Sequence, residues 1–164
     1  MRIEALLRRD ILSIGLKLVA RGVVAATDGN LSARLDGGFI LVTPSGYSKG
    51  ELKESDLVVT DGEGRLARGY RKPTTELGMH LAVYRARPDV EAVVHAHPPV
   101  ATGFACAGLS LEEPLVSEAV LGLGPAPLAP YATTGTPEMV SALEPFLKRY
   151  EAILLSNHGV VTMG

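Results

Sequence analysis

Glutamine is absent from this 164-residue chain, and asparagine occurs only as Asn30 and Asn157. Scarcity of thermolabile amides accompanies heat adaptation. It also singles out the two asparagines that remain, both of which fall inside the motifs described below. One cysteine, Cys106, excludes an internal disulfide and reads as a small buried hydrophobe in a cytoplasmic protein. No basic run exceeds Arg8-Arg9, and the formal net charge is −2. Neither nucleic acid nor a membrane is therefore expected as a partner. No apolar stretch approaches the roughly 20 residues that cross a bilayer. The start, Met1-Arg2-Ile3-Glu4, leads into an amphipathic pattern and not into a charged leader with an apolar core.

What is present suffices for one core: 46% of residues are hydrophobic, and a single domain over 1–164 is expected. Ile3, Leu7, Ile11, Ile14 and Leu18 step by three or four, which predicts a helix over 2–21 stopped by Gly22. Two hairpins are read next. Leu31–Leu35 and Phe39–Thr43 flank Asp36-Gly37-Gly38, and Val58–Thr60 and Leu66–Arg68 flank Asp61-Gly62-Glu63-Gly64. Thr74 or Thr75 caps a helix over 76–87 that buries Leu77, Leu81 and Tyr84 and ends before Pro88. A short helix is expected over 99–107, and 118–123 fits either element type. Thr136-Pro137 opens a helix lined by Met139, Leu143, Phe146 and Leu147. Ala152–Leu155 is a buried strand, and Val160–Met163 is its partner beyond the His158-Gly159 turn. The mixture predicts an α/β fold with a mainly antiparallel or mixed sheet and helices packed on it.

The chemistry concentrates at Val93-Val94-His95-Ala96-His97-Pro98-Pro99. The valines read as the end of a buried strand, which the prolines stop. Residues i and i+2 of a strand share a face, so His95 and His97 project side by side. An isolated His-x-His is more often satisfied by ordinary hydrogen bonds. Here His158 sits at a second strand end, and Glu76 opens the helix that feeds the His95 strand. A carboxylate in a first helical turn is favoured by the macrodipole alone. Together, however, three imidazoles and one carboxylate form a ligand set for zinc or another borderline divalent ion. His80, four residues after Glu76 on the same helical face, either supports that set from behind or is a partly buried helix histidine; the second reading is the simpler.

Six motifs then fall in one order. They are Asp28-Gly29-Asn30-Leu31-Ser32, Thr43-Pro44-Ser45-Gly46, Lys72-Pro73-Thr74-Thr75-Glu76, His95-Ala96-His97, Pro130-Tyr131-Ala132 and Asn157-His158-Gly159. In this the chain resembles the class II aldolase/adducin head family, on the side of its L-fuculose-1-phosphate aldolases. The resemblance implies a three-layer α/β/α fold around a mainly antiparallel mixed sheet. It also implies a homotetramer with active sites at subunit interfaces. By the same resemblance His95, His97 and His158 hold the metal (zinc, or else manganese or cobalt), and Glu76 binds the ion in the free enzyme and then serves as the base. Gly29, Asn30, Ser45, Gly46, Thr74 and Thr75 match the phosphate pocket. Small residues, hydroxyl and amide donors and a helix N-terminus suit an anion there.

The implied activity is cleavage of a ketose 1-phosphate to dihydroxyacetone phosphate and an aldehyde, with Glu76 moving a proton at carbon. Lys72 would assist the anion pocket or lie on the surface. The sibling activities are methylthioribulose-1-phosphate dehydration, oxo-tetronate phosphate decarboxylation and ribulose-5-phosphate 4-epimerisation. Glu76 speaks against the epimerases, which place Asp there. A non-catalytic adducin-like module would lack the full ligand set, and a zinc hydrolase would not need the anion pocket. Two departures are visible. A family tyrosine falls at Ser117 or Glu118, which leaves the proton donor to the leaving aldehyde oxygen unassigned; Tyr47 and Tyr131 are candidates by residue type alone, and Tyr131 is expected to pack. The apolar run Val160–Gly164 also reads as cut short of the family's C-terminal helix or tail.

Overall fold

The computed structural model describes residues 4–114 and 116–164. Its helices are α1 (Glu4–Ala20), α2 (Leu77–Ala86), α3 (Pro99–Cys106), α4 (Ser117–Gly122) and α5 (Pro137–Leu147). The strands are β1 (Asn30–Arg34), β2 (Ile40–Val42), β3 (Val58–Thr60), β4 (Leu66–Arg68), β5 (Ala92–Ala96), β6 (Leu128–Ala129), β7 (Ala152–Leu155) and β8 (Gly159–Met163). They form one sheet in the order β4-β3-β2-β1-β5-β8-β7-β6, antiparallel throughout except for the β6–β7 pair.

Alternation along the strands builds a core on each face of the sheet. Leu31 and Ala33 of β1, Leu41 of β2 and Val59 of β3 pack under Ile11 of α1. Ile40, Val42, Val58, Val93, Ile153 and Val161 face the other way, against α2 and α5. The result is the three-layer α/β/α arrangement with a mainly antiparallel mixed sheet. Helix α2 is buried well beyond its expected stripe, since Met79, His80, Ala82 and Val83 are covered as well as Leu77, Leu81 and Tyr84. Among the described residues, no helix is long and apolar enough to cross a membrane.

Several sequence expectations shift. The first helix spans Glu4–Ala20 among the described residues, and the expected positions 2 and 3 lie outside them, as does Leu115. Ile14 is 38% exposed, and Gly15 takes the inward position instead. A Cβ on Gly15 would stand 2.8 Å from the Lys49 carbonyl oxygen, so the missing side chain lets that loop close on α1. Cys106 is exposed at the end of α3, with Ala105 taking the buried place beside it. Tyr131 is 65% exposed and does not pack. The segment 117–122 is the helix α4. Strand β6 has only two residues and lies between Pro127 and Pro130, too short to show a period.

Candidate metal centre and anion cleft

Strand β5 pairs with β8, setting His95 opposite Val161, and His97 follows one residue beyond the strand end. The turn from β7 to β8 passes through Asn157 at φ 56°, a left-handed conformation that asparagine tolerates, and presents His158 next to it. Gly159 opens β8 against the pair: a Cβ there would lie 2.5 Å from His97 Cδ2 and 2.6 Å from the Ala96 carbonyl oxygen. Gly29, at φ 70°, plays the same part below β5, where a Cβ would meet the His95 carbonyl oxygen at 2.7 Å.

The three imidazoles converge through their Nε2 atoms. His95 Nε2 is 2.9 Å from His97 Nε2 and 3.2 Å from His158 Nε2. Glu76, at the start of α2, brings Oε2 to 3.4 Å from His95 Nε2 and Oε1 to 3.3 Å from His158 Nε2. Atoms bound tetrahedrally at about 2.0–2.1 Å from one centre are about 3.3–3.4 Å apart, close to these separations. His95 Nδ1 donates to the Val160 carbonyl oxygen at 2.9 Å, which leaves its Nε2 lone pair facing the cluster. Burial, reinforced by the neighbouring His158 and His97, pushes His95 well below the ordinary imidazole range. Burial also lowers His158, against the opposing pull of Glu76. Neutral imidazoles are the ligating form. Glu76 Oε1 is buried without a hydrogen-bond partner, so a divalent ion fits both the donor chemistry and the unsatisfied carboxylate oxygen. Asp28 Oδ2 lies 3.7 Å from His97 Nδ1, on the side away from the cluster.

An open cleft of about 270 Å³ adjoins the cluster. Gly29, Asn30, Ser45, Gly46, Thr74 and Thr75 all line it, together with Glu76, His97 and His158. Two distant motifs are zipped together to build it. Thr74 N–H donates to the Thr43 carbonyl and Ser45 N–H to the Lys72 carbonyl. The α2 N-terminus contributes less than expected, because Glu76 N–H and Leu77 N–H are already taken by Thr74 Oγ1 and the Thr74 carbonyl. Asn30 is buried, and its amide joins Glu76 to His80. His80 is fully buried, not partly, and tied to Asn30.

Sequence reasoning missed Lys49. It is only 2% exposed and lines the cleft, with Nζ donating to the carbonyls of Thr27 at 2.8 Å and Tyr47 at 2.5 Å. Burial lowers its pKa, while Asp28 and Glu76 oppose that shift. Lys72 is exposed and outside the cleft lining, and Tyr47 lies under the Arg71 guanidinium.

Residues 9–164 match the family described as Class II Aldolase and Adducin N-terminal domain. The chain belongs to this family. Over 156 residues it is 37% identical to the 5-deoxy-D-ribulose 1-phosphate aldolase of Bacillus thuringiensis serovar kurstaki, covering 94% of this chain and 72% of that protein. It is 34% identical to the 3-oxo-tetronate 4-phosphate decarboxylase of Pectobacterium atrosepticum, covering 96% of this chain and 73% of that one. A solved L-fuculose 1-phosphate aldolase superposes with a TM-score of 0.90 at 34% identity, over 96% of this chain and 74% of its own. The class II aldolase fold thus accounts for the layer order and sheet topology. The convergence of Glu76 with three histidines is read from this chain's own geometry.

Proposed function

We propose that this protein is a metal-dependent sugar-phosphate lyase that cleaves a ketose 1-phosphate, of the L-fuculose 1-phosphate kind, into dihydroxyacetone phosphate and an aldehyde. The observation that carries the reading is the meeting of Glu76 with the Nε2 atoms of His95, His97 and His158, four groups from three separate parts of the chain. His95, His97 and His158, with Glu76, would hold the ion: zinc, or else manganese or cobalt. When bound, such an ion supplies Lewis acidity toward a carbonyl oxygen and stabilises negative charge developing beside it.

The chain's own residues do the rest. Ser45, Gly46, Thr74 and Thr75 form the wall against which the phosphate rests, and Gly29 and Asn30 close it. The buried Lys49 side chain adds a cationic group type beside them, its Nζ held on the Thr27 and Tyr47 carbonyls. Anchoring the remote phosphate fixes the reacting carbons. In the cleavage direction, the C4 hydroxyl gives its proton to solvent in the open cleft, Glu76 takes up a proton from the same solvent, and the C3–C4 bond breaks. The electron pair remains on the three-carbon fragment, and the Glu76 carboxyl delivers a proton to C3 to give dihydroxyacetone phosphate. In reverse, the Glu76 carboxylate removes that proton. The exposed apolar side chains Val100, Val120 and Leu121 offer surface to further copies, in keeping with a homotetramer whose sites lie at subunit interfaces.

The test is solvent-deuterium exchange into dihydroxyacetone phosphate by the zinc-loaded protein, followed by an aldehyde panel scored for new carbon–carbon bonds. Glu76→Gln should retain most of the metal and lose exchange by about 100-fold or more. His95→Ala should lose metal and turnover together, and stoichiometric zinc in that variant would refute the ligand set. Likeness to the decarboxylase supports a sibling reading, in which an oxo-acid phosphate releases carbon dioxide while the exchange assay stays silent.

A further inference from the structure

Behind Glu76 runs a single file of buried polar side chains that the proposed reaction does not use. Glu76, His80 and Tyr84 are spaced by four along α2, and Asn30 and Ser32 by two along β1, so each set shares one face of its element. The two sets interleave. Asn30 Nδ2 is 2.7 Å from Glu76 Oε2, and Asn30 Oδ1 contacts His80 Nε2. His80 Nδ1 is 2.7 Å from Ser32 Oγ, and Ser32 Oγ is 2.7 Å from the Tyr84 hydroxyl. Asn30, Ser32 and His80 are 3%, 2% and 0% exposed.

The carboxylate sets the direction of every bond in the file. An ionised carboxylate only accepts, so Asn30 must turn its NH2 group toward Glu76 and its carbonyl toward His80. His80 Nε2 must then carry the proton and donate to that carbonyl. Its Nδ1 accepts from the Ser32 hydroxyl, whose oxygen accepts from Tyr84. Burial keeps the His80 ring neutral, with its pKa lowered to about 3, so no second proton competes for Nδ1. A buried file in which Asn30, His80, Ser32 and Tyr84 each hold a partner is rigid, and reversing one bond would leave a polar group unpaired.

We propose that His80 is a positioning residue for Glu76, acting through Asn30: the file locks the asparagine amide in one orientation, and the amide holds Oε2 of the carboxylate at its place beside the histidine cluster. The proposal rests on the reading of Glu76 as the proton-transferring group. Unlike mere core packing, it requires the hydrogen-bond donor at position 80 and not only its bulk.

The experiment compares the full zinc-loaded chain with His80→Leu, His80→Gln and Ser32→Ala. It reads zinc content, the kcat and KM of deuterium exchange into dihydroxyacetone phosphate, and the side-chain amide resonances of Asn30. His80→Leu should keep its zinc and a KM within about twofold, while kcat falls about 10- to 100-fold, the scale set by small misplacements of a reacting group. His80→Gln, which restores a donor, should recover most of that loss. Ser32→Ala should fall in between, and it carries the test should His80→Leu fail to fold. The Asn30 amide resonances should shift in His80→Leu and Ser32→Ala. Unchanged kcat per bound zinc in both of those variants, a loss that glutamine does not repair, or a loss explained wholly by missing metal overturns the proposal. A wild-type protein that exchanges no deuterium refutes the functional reading instead. The file is then judged on the Asn30 resonances alone, and unmoved resonances in both variants overturn it.

Discussion

Of the two glycines packed against the cluster, Gly159 has less room than Gly29. Alanine there would drive its Cβ into the His97 ring and the Ala96 carbonyl, at 2.5 and 2.6 Å. The ring is the softer neighbour, so Gly159→Ala should turn His97 away and weaken metal binding by about 10- to 100-fold, the range seen when the support of a ligand is disturbed. Competition with a chromogenic chelator reads this directly. His80 has a separate signature in stability. Folded, burial holds its pKa at about 3, against an ordinary value of 6.5. Above pH 6.5 neither state is charged. Between pH 6.5 and 3 the unfolded chain binds a proton that the folded chain refuses, so stability falls as pH falls, by up to about 1.4 kcal/mol per pH unit. Urea unfolding between pH 7 and 4.5 should show this slope, reinforced by His95, and His80→Leu should remove one proton's share of it.

At the scale of elements, α2 is held at both ends. Its start carries Glu76, and its far end is gripped by Arg34 from β1. Arg34 donates from Nε to the Val90 carbonyl at 2.9 Å and from Nη2 to those of Tyr84 and Arg87, both at 3.1 Å. Its guanidinium also lies 4.7 Å from the centre of the Tyr84 ring. Arg34→Ala should therefore lower unfolding free energy by about 2–3 kcal/mol, the scale of charge-assisted hydrogen bonds to backbone, measurable by urea titration. Much of this level was legible in the sequence. The α1 period, both hairpins, the Thr136-Pro137 helix start and the β7–β8 turn follow from spacing and turn chemistry that act within a few residues. What escaped depends on partners far away. The burial of Lys49 against Gly15 and the commitment of His80 to Asn30 and Ser32 each join segments tens of residues apart. The spacing of Glu76 and His80 was visible, but nothing in it named the strand residues that lie between them.

For the whole molecule, the sheet order places β1, β5 and β8 side by side, and with them Asn30, the His95 pair and the His158 turn. The pairing of His95 with His97 at a strand end was readable because period-two spacing is local; the adjacency of β5 and β8 was not. A homotetramer predicts a light-scattering mass near four chains, and a monomeric mass would remove the interfacial part of the proposed site.

The same adjacency has a thermal consequence. An ion gripped by residues 76, 95, 97 and 158 would act as a staple across three stretches of chain that an unfolded ensemble keeps apart. Binding only the native form raises the unfolding free energy with free ion concentration, by about 2.7 kcal/mol at a hundredfold excess over the dissociation constant, and the melting temperature rises with it. A calorimetric melt in EDTA should therefore fall below one in zinc. The gap would vanish in His158→Ala, which cuts the staple at its far leg.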